Sequence, residues 1–238
     1  MKRKKIIFSW SGGKDSTLCL HYLLQNNEYE VCYLLTSING NNKRVSLHGI
    51  HQTLIEEQSK SIGIPLKIVY VFEGNNEEYE KQMREVLMQV QCEGIDTVVF
   101  GDIFLEDLRK YREDNLTKIG MNALFPLWRK NTQQLVLEFI ELNYKTVLCC
   151  VNDAYLTKND VGKEITNSLI DNLPLDVDSC GENGEYHTFC YSGPIFKKPI
   201  EIMLGEKIHK PLDLKFQTPD CNNKITTGFW YNEIVLKK

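Results

Sequence analysis

The sequence predicts an α/β protein, with a five-stranded parallel sheet in its N-terminal part and a smaller α+β region behind it. Three observations carry that expectation. Short apolar runs alternate with segments of helical periodicity as far as Trp128. A glycine pair, Gly12-Gly13, stands between the first apolar run and the first periodic segment. Beyond Trp128 the alternation lapses, and Gly181, Gly184 and Gly193 gather around a strand-like stretch. Strands alternating with helices imply right-handed βαβ units and a parallel sheet covered on both faces.

Taken in order, residues 5–9 give the first strand and residues 15–25 the first helix, with Leu18, Leu20, Leu23 and Leu24 as its apolar positions. Residues 31–37 are a continuous apolar run, hence a buried strand, and Asn39-Gly40-Asn41-Asn42 is a turn. A helix is expected over 50–62, stopped by Gly63. Strands are expected at 66–72, 97–101 and 122–128, and helices at 76–91 and 105–119. The second region should hold a helix at 132–142, a strand at 146–151, a helix at 161–173 ended by Pro174, and strands at 186–191, 213–217 and 226–235. We therefore expect two closely packed domains, residues 1–130 and 131–238, with the active site between them.

At 238 residues, with 42% hydrophobic and 25% charged residues, the composition is that of a globular protein able to bury a sizeable core. The net charge of −4 argues against a general nucleic-acid binder. Behind the basic start, Met1-Lys2-Arg3-Lys4-Lys5, the apolar run lasts only from Ile6 to Phe8, too short for the core of a signal peptide. No apolar run approaches the ~20 residues of a membrane-spanning helix, so no membrane partner is expected. The eight cysteines form no Cys-x-x-Cys pair, and several lie inside apolar runs. They read as reduced, buried cysteines of a cytoplasmic protein rather than ligands of a zinc or iron–sulfur centre.

The stretch Ser9-Trp10-Ser11-Gly12-Gly13-Lys14-Asp15-Ser16 carries the chemistry. Glycines permit a sharp turn and a close approach to the main chain. The N–H groups of the turn and the positive end of the following helix then converge on one point, where an anion binds. Ser11 and Ser16 add hydroxyls and Lys14 a cation; Asp15 could cap the helix or help hold Mg2+. The spacing is neither Gly-x-x-x-x-Gly-Lys-Ser/Thr nor Gly-x-Gly-x-x-Gly. A bland reading remains, in which this is only a glycine turn with a capped helix behind it.

Three further clusters fall in loops or near strand ends. Between Arg44 and His51, His48 or Arg44 could reach a nucleotide or substrate, the alternative being that the histidine serves as a cap or surface group. Gly101-Asp102 follows the fourth expected strand, where open α/β sheets place their ligands. Behind it Arg109 and Arg112 share one helix face, suited to a polyanion or carboxylate, or else to ion pairs with Glu106 and Glu113. In Gly181-Glu182-Asn183-Gly184-Glu185-Tyr186-His187-Thr188-Phe189, the two glutamates could bind Mg2+ with phosphates, hold ammonium or act as a base. The alternative is a plain loop leading to an edge strand.

Ser11-Gly12-Gly13-Lys14-Asp15-Ser16 resembles the PP-loop of the N-type ATP pyrophosphatases, which cleave ATP between its α and β phosphates. Together with His48-Gly49, Gly101-Asp102, Arg109, Arg112-Glu113, Pro126-Leu127-Trp128, the 181–189 stretch and Gly193-Pro194-Ile195-Phe196, the chain resembles the diphthine–ammonia ligase family of that superfamily, in its compact archaeal and bacterial form. The PP-loop motif alone fixes only the superfamily; the 181–189 stretch is far more specific. The resemblance covers residues 5–199 and implies a Rossmann-like sheet of the adenine nucleotide alpha hydrolase type. It implies the reaction ATP + diphthine + NH4+ → AMP + pyrophosphate + diphthamide, on a modified histidine of elongation factor 2. ATP would then bind at Ser9, Ser11, Gly12, Gly13, Lys14, Asp15, Ser16, Thr36, His48, Gly101 and Asp102. Lys14, Asp15, Glu182 and Glu185 would be catalytic, with Asp15 holding Mg2+. Arg109, Arg112, Glu113 and His187 would contact the substrate. No glutaminase unit is recognisable, so free ammonium is the expected nitrogen source. Alternatives are a ligase of the same branch acting on another carboxylate (as a bacterial member would need), a tRNA-modifying PP-loop enzyme, and a nucleotide-binding module without turnover. The oligomeric state stays open, a homo-oligomer included.

Overall fold

The computed structural model describes residues 3–72, 76–213, 217, 220 and 224–237. The chain begins β1 (Lys4–Ser9), α1 (Lys14–Gln25), β2 (Tyr29–Asn39), β3 (Arg44–Val45), α2 (Gln52–Ile62), β4 (Leu66–Val71) and α3 (Asn76–Cys92). It continues β5 (Thr97–Val99), α4 (Glu106–Thr117), β6 (Asn122–Leu124), α5 (Thr132–Glu141), β7 (Lys145–Asn152), α6 (Asn167–Asp171), β8 (Tyr186–Ser192), β9 (Ile202–Pro211) and β10 (Gly228–Leu236).

Five strands form the expected parallel sheet, in the order β4-β2-β1-β5-β6. The two-residue β3 adds an antiparallel bridge at the end of β2. Strand β1 is central because its three apolar residues are all inaccessible to solvent: Ile6, Ile7 and Phe8 are each 0% exposed. Side chains alternate across a strand, so Ile6 and Phe8 enter one core and Ile7 the other. Burying each such side chain contributes roughly 1.5–3 kcal/mol. The chain leaves β1 through α1 to β2 on one side, and returns through α3 to β5 on the other. The winding therefore reverses between β1 and β5. A crevice opens beyond the carboxyl ends of strands at such a switch point, and here it lies between residues 10–13 and 100–103.

A second, antiparallel sheet runs β8-β7-β10-β9. Helix α1 is shared by both halves: Leu18, Leu20 and Leu23 join a single apolar cluster that continues into Val147, Leu148 and Phe189 of the second sheet. Direct hydrogen bonds reinforce this packing. The Cys190 N–H donates to Gly12 O at 2.9 Å. Gln58 of α2, 0% exposed, accepts from Trp10 Nε1 at 2.9 Å and donates to Gly12 O at 2.9 Å and Cys190 O at 2.6 Å.

Two expectations fail here. Residues 161–173 do not form one helix; only α6 is helical. Gly162 takes φ +87°, and residues 162–165 run beside β7 instead, with Gly162 N–H to Leu148 O, Leu148 N–H to Lys163 O and Ile165 N–H to Thr146 O. The apolar spacing of Val161, Ile165 and Ile170 serves this extended partner and a short helix capped by Thr166. Strand β9 was not expected at all. It is an edge strand with few buried side chains, so its sequence carries little apolar alternation. The strand expected at 213–217 falls mostly outside the described residues. Among the described residues, no helix is long and apolar enough to cross a membrane.

The Gln58 node yields a stability prediction. Gln58→Ala strands one buried indole N–H and removes a donor from two carbonyls. It should lower the unfolding free energy by about 3 kcal/mol, seen as a shift of the urea midpoint at unchanged slope.

Candidate active site

The loop after β1 is shaped by two glycines acting differently. Gly12 takes φ +81°, a left-handed conformation that a side chain disfavours. Gly13 is extended, at φ −91° and ψ 178°. What matters there is space: a Cβ would stand 3.1 Å from His48 Cε1, Thr188 O and Thr188 Oγ1. Gly13 occupies the N-cap of α1, and no side chain caps the helix, so neither Asp15 nor Ser16 plays that part. Two leading N–H groups are already engaged: Gly13 N–H with Ser11 Oγ at 3.3 Å, and Lys14 N–H with Thr188 Oγ1 at 2.9 Å. Among the described residues the Asp15 and Ser16 N–H groups meet no acceptor, as befits the anion-binding end of a helix.

Lys14 is 3% exposed. Its ammonium donates to Asp15 at 2.8 and 3.0 Å and to the Cys180 carbonyl, and lies 5.1 Å from the centre of the Tyr186 ring. Burial is the largest influence and opposes this charge, but the Asp15 carboxylate, with smaller contributions from Tyr186 and Cys180, holds the ammonium above the ordinary lysine range.

Two cavities meet at this loop. The first, about 410 Å³, is mostly apolar, with Leu35, Val45, Met83, Leu87, Val98 and Phe100 in its walls and Thr36 at the end of β2. The second, about 440 Å³, gathers charged and polar groups: Lys14, Asp15, Asp102, Glu182, Asn183 and His187. Ser9, Ser11, Leu47, His48, Phe100 and Arg112 line both. The result is one groove with an apolar end and a charged end. Such a groove suits a ligand that joins a flat ring to an anionic tail.

The expected site residues divide accordingly. Gly101 and Asp102 lie in the charged cavity, across the loop from Asp15 and Ser16. Asp102 pairs with Arg112 at 2.7 Å; burial still pushes its carboxyl upward, with Arg112 opposing. Arg109 and Glu113 line neither cavity. They pair with each other at 2.8 Å, and the Arg109 guanidinium stacks over Phe125 and Trp128. Of Arg109, Arg112 and Glu113, Arg112 alone reaches the groove. Gly12 also lies outside the walls and acts by turning the chain.

His48 is no helix cap or surface group. His51 caps α2, accepting from Thr53 N–H. The His48 ring lies 4.7 Å from His187, and its Nδ1–H donates to Thr188 O at 3.1 Å. Burial pushes His48 down to about 4 and His187 well below the usual histidine range, so both are neutral.

The two glutamates of residues 181–189 part company. Glu182 lines the charged cavity, and its Oε1 accepts the Ile103 N–H at 2.7 Å. Burial pushes its carboxyl up to about 7, with the charges of Asp15 and Asp102 adding to the effect. Glu185 is 1% exposed and lines neither cavity. Its Oε1 accepts from Asp178 N–H at 2.9 Å and Asn183 Nδ2 at 3.0 Å.

Sequence reasoning missed Thr188, Asn152, Gln58 and the α3 wall of the apolar cavity. Gln58 had a visible signal, being a polar residue on the apolar face that Leu54, Ile55 and Ile62 mark on α2. The α3 residues had none, since helical periodicity does not say which face meets a cavity.

The family model described as the diphthamide synthase N-terminal domain matches residues 4–123, and that of the diphthamide synthase C-terminal domain matches residues 131–215. A mouse (Mus musculus) protein named diphthine–ammonia ligase is 32% identical over 130 residues, covering 51% of this chain and 47% of its own. Its namesake from Schizosaccharomyces pombe is 31% identical over 113 residues, covering 45% of this chain and 18% of its own. The human protein of that name is 30% identical over 125 residues, 49% of this chain and 45% of its own. The chain thus spans about half the length of the mammalian relatives and less of the yeast one. Among solved structures, a U34-tRNA thiolase from Methanococcus maripaludis aligns over 60% of this chain and 59% of its own, at 19% identity and a TM-score of 0.37. The two family models together take in every residue of the groove except Phe229, and the chain belongs to the diphthamide synthase family.

Proposed function

We propose that the chain is an ATP-dependent, AMP-forming amide ligase, catalysing ATP + diphthine + NH4+ → AMP + pyrophosphate + diphthamide. The observation that carries this reading is the continuous groove, apolar at one end and charged at the other, with the glycine loop at the junction. Membership of the diphthamide synthase family, and relatives named diphthine–ammonia ligase, support it. In this reading residues 1–130 bind ATP and residues 131–238 bring the acceptor and ammonium. The acceptor is diphthine on elongation factor 2, and the reaction runs in the cytoplasm, where thiols stay reduced.

The chemistry explains the need for AMP. A carboxylate is a poor acyl donor, because its leaving group would be oxide. Transfer of AMP to the carboxylate makes a mixed anhydride that ammonia can attack. The adenine ring would sit in the apolar cavity between Leu35, Val98 and Phe100. The phosphates would lie against the Asp15 and Ser16 N–H groups and the Ser11 and Ser16 hydroxyls, at the positive end of α1. Neutral His48 and His187 impose no extra charge there, and Arg112 stands where both cavities join.

Among the described residues, no cluster of three or more His, Cys, Asp or Glu could hold a metal by itself. Asp15, one of three carboxylates on the charged cavity, fits Mg2+ that arrives with the nucleotide, since Mg2+ is commonly held by one or two carboxylates with phosphates and water. When bound, the ion neutralises phosphate charge.

Asp15→Asn should lower AMP formation at least about 100-fold while the thermal midpoint barely moves, because the side chain is partly exposed and Asn can still accept from Lys14. AMP release is read by chromatography; a normal rate would remove Asp15 from the site. With elongation factor 2 carrying diphthine, the mass of the acceptor should show conversion of carboxylate to amide with AMP released rather than ADP. Ammonium chloride should serve as nitrogen source, and glutamine in ammonium-free buffer should not; equal yields from the two would overturn that part of the reading.

A further inference from the structure

The ligase reading leaves open which group removes a proton from ammonium. The loop joining Asp178 to Glu185 answers this by its construction. Asp178 Oδ2 accepts the N–H groups of Cys180 and Glu182, at 2.9 and 3.1 Å, and its Oδ1 accepts from Thr132 Oγ1 at 2.6 Å. Gly181 at φ +67° and Gly184 at φ +88° turn the chain back on itself, and Gly184 N–H donates to Gly181 O. Glu185 closes the loop: its Oε1 takes Asp178 N–H and Asn183 Nδ2, while its main-chain carbonyl takes Asn152 N–H. Glu185 is thereby sealed behind the wall. Glu182, midway along the loop, projects into the charged cavity with one oxygen fixed by Ile103 N–H. Among the described residues its other oxygen has no protein partner.

The surroundings suit a cation. Asp15 and Lys14 come from α1, Asp102 from the end of β5, Arg112 from α4, His48 from the β3–α2 connection, and His187 and Tyr186 from β8. Both imidazoles are neutral, and burial keeps Tyr186 and the Cys180 thiol protonated. Three carboxylates then face two cations, so an ionised Glu182 leaves the cavity one charge negative.

Resting on the ligase reading, we propose that Glu182 is the base that deprotonates ammonium and that Glu185 is a positioning residue that holds the loop presenting it. The free oxygen of Glu182 takes one proton from NH4+, giving a carboxylic acid and NH3. The nitrogen lone pair attacks the acyl carbon of the mixed anhydride. The C–N bond forms, the C–O bond to the phosphate of AMP breaks, and AMP leaves with that electron pair. A second proton passes from nitrogen to the departing phosphate. A carboxyl that titrates near 7 is well matched to such work at neutral pH.

Hydroxylamine tests this, because it is a neutral nucleophile near neutral pH and needs no base to become one. Wild type, Glu182→Gln and Glu185→Gln are each given MgATP, elongation factor 2 carrying diphthine, and either ammonium chloride or hydroxylamine. Glu182→Gln should lose ammonium-dependent amide formation about 100-fold or more, yet form hydroxamate and release AMP at close to the wild-type rate. With ammonium the wild-type rate should rise through pH ~7 and level off, whereas the Glu182→Gln rate should go on rising with pH. Glu185→Gln should slow both nucleophiles alike and lower the thermal midpoint. Equal loss with both nucleophiles in Glu182→Gln, or no loss, overturns the assignment, as does a selective loss of ammonium use in Glu185→Gln. If wild type forms neither product, the ligase reading itself falls, and the proposal with it.

Discussion

Strand β8 is hydrogen-bonded to the glycine loop on both sides of its turn, and the groove depends on that attachment. Cys190 N–H meets Gly12 O, and Thr188 Oγ1 takes the Lys14 N–H. Gln58 ties the same two segments from below. The second sheet is thus no neighbouring module that happens to lie alongside. It supplies the wall of the groove behind the glycine loop and fixes the loop's shape. Gly13 must lack a side chain because Thr188 and His48 already fill the space beside it.

The same attachment sets the electrostatics. Closing β8 over the loop buries Lys14 and brings the half-buried His48 and His187 together. Two imidazoles respond by staying neutral, because the charged form is costly away from water. Lys14 keeps its charge because Asp15 lies within 2.8 Å. Glu182 lies between these cases: half-buried, with two other carboxylates nearby and one backbone donor, it is poised near neutrality. Lining both cavities, Arg112 offsets Asp102 and keeps the charged end from becoming strongly anionic.

Along the other edge, the stitching between halves is polar as well as apolar. Arg44 of β3 pairs with Glu233 of β10 at 2.8 Å and donates to Gly49 O at 2.7 Å, while Gly49 packs on Tyr231. This anchors the loop that carries Leu47 and His48 into the groove. Leu47 sits there at φ +62°, a conformation unusual for a leucine, held by its anchored neighbours.

By itself the sequence determined the centre of the molecule. Three consecutive apolar residues, a glycine pair and a Lys-Asp-Ser helix start are contiguous, so strand, turn and anion-binding helix follow from local chemistry. The five-stranded parallel sheet followed too, because each βαβ unit is encoded within a short span. The helix expected at 161–173 failed, since a backbone pairing with β7 outweighed an apolar spacing that looked helical. In the groove, sequence named the right neighbourhoods but could not sort their members. Arg112 rather than Arg109 reaches the cavity, and Glu182 rather than Glu185 is open to it. Each of those choices is made by contacts between distant parts of the chain. Thr188 acts on Lys14 across 174 positions, and Gln58 on Cys190 across 132. Only the closed tertiary structure decides which side chain of a neighbouring pair meets water, a partner or a cavity.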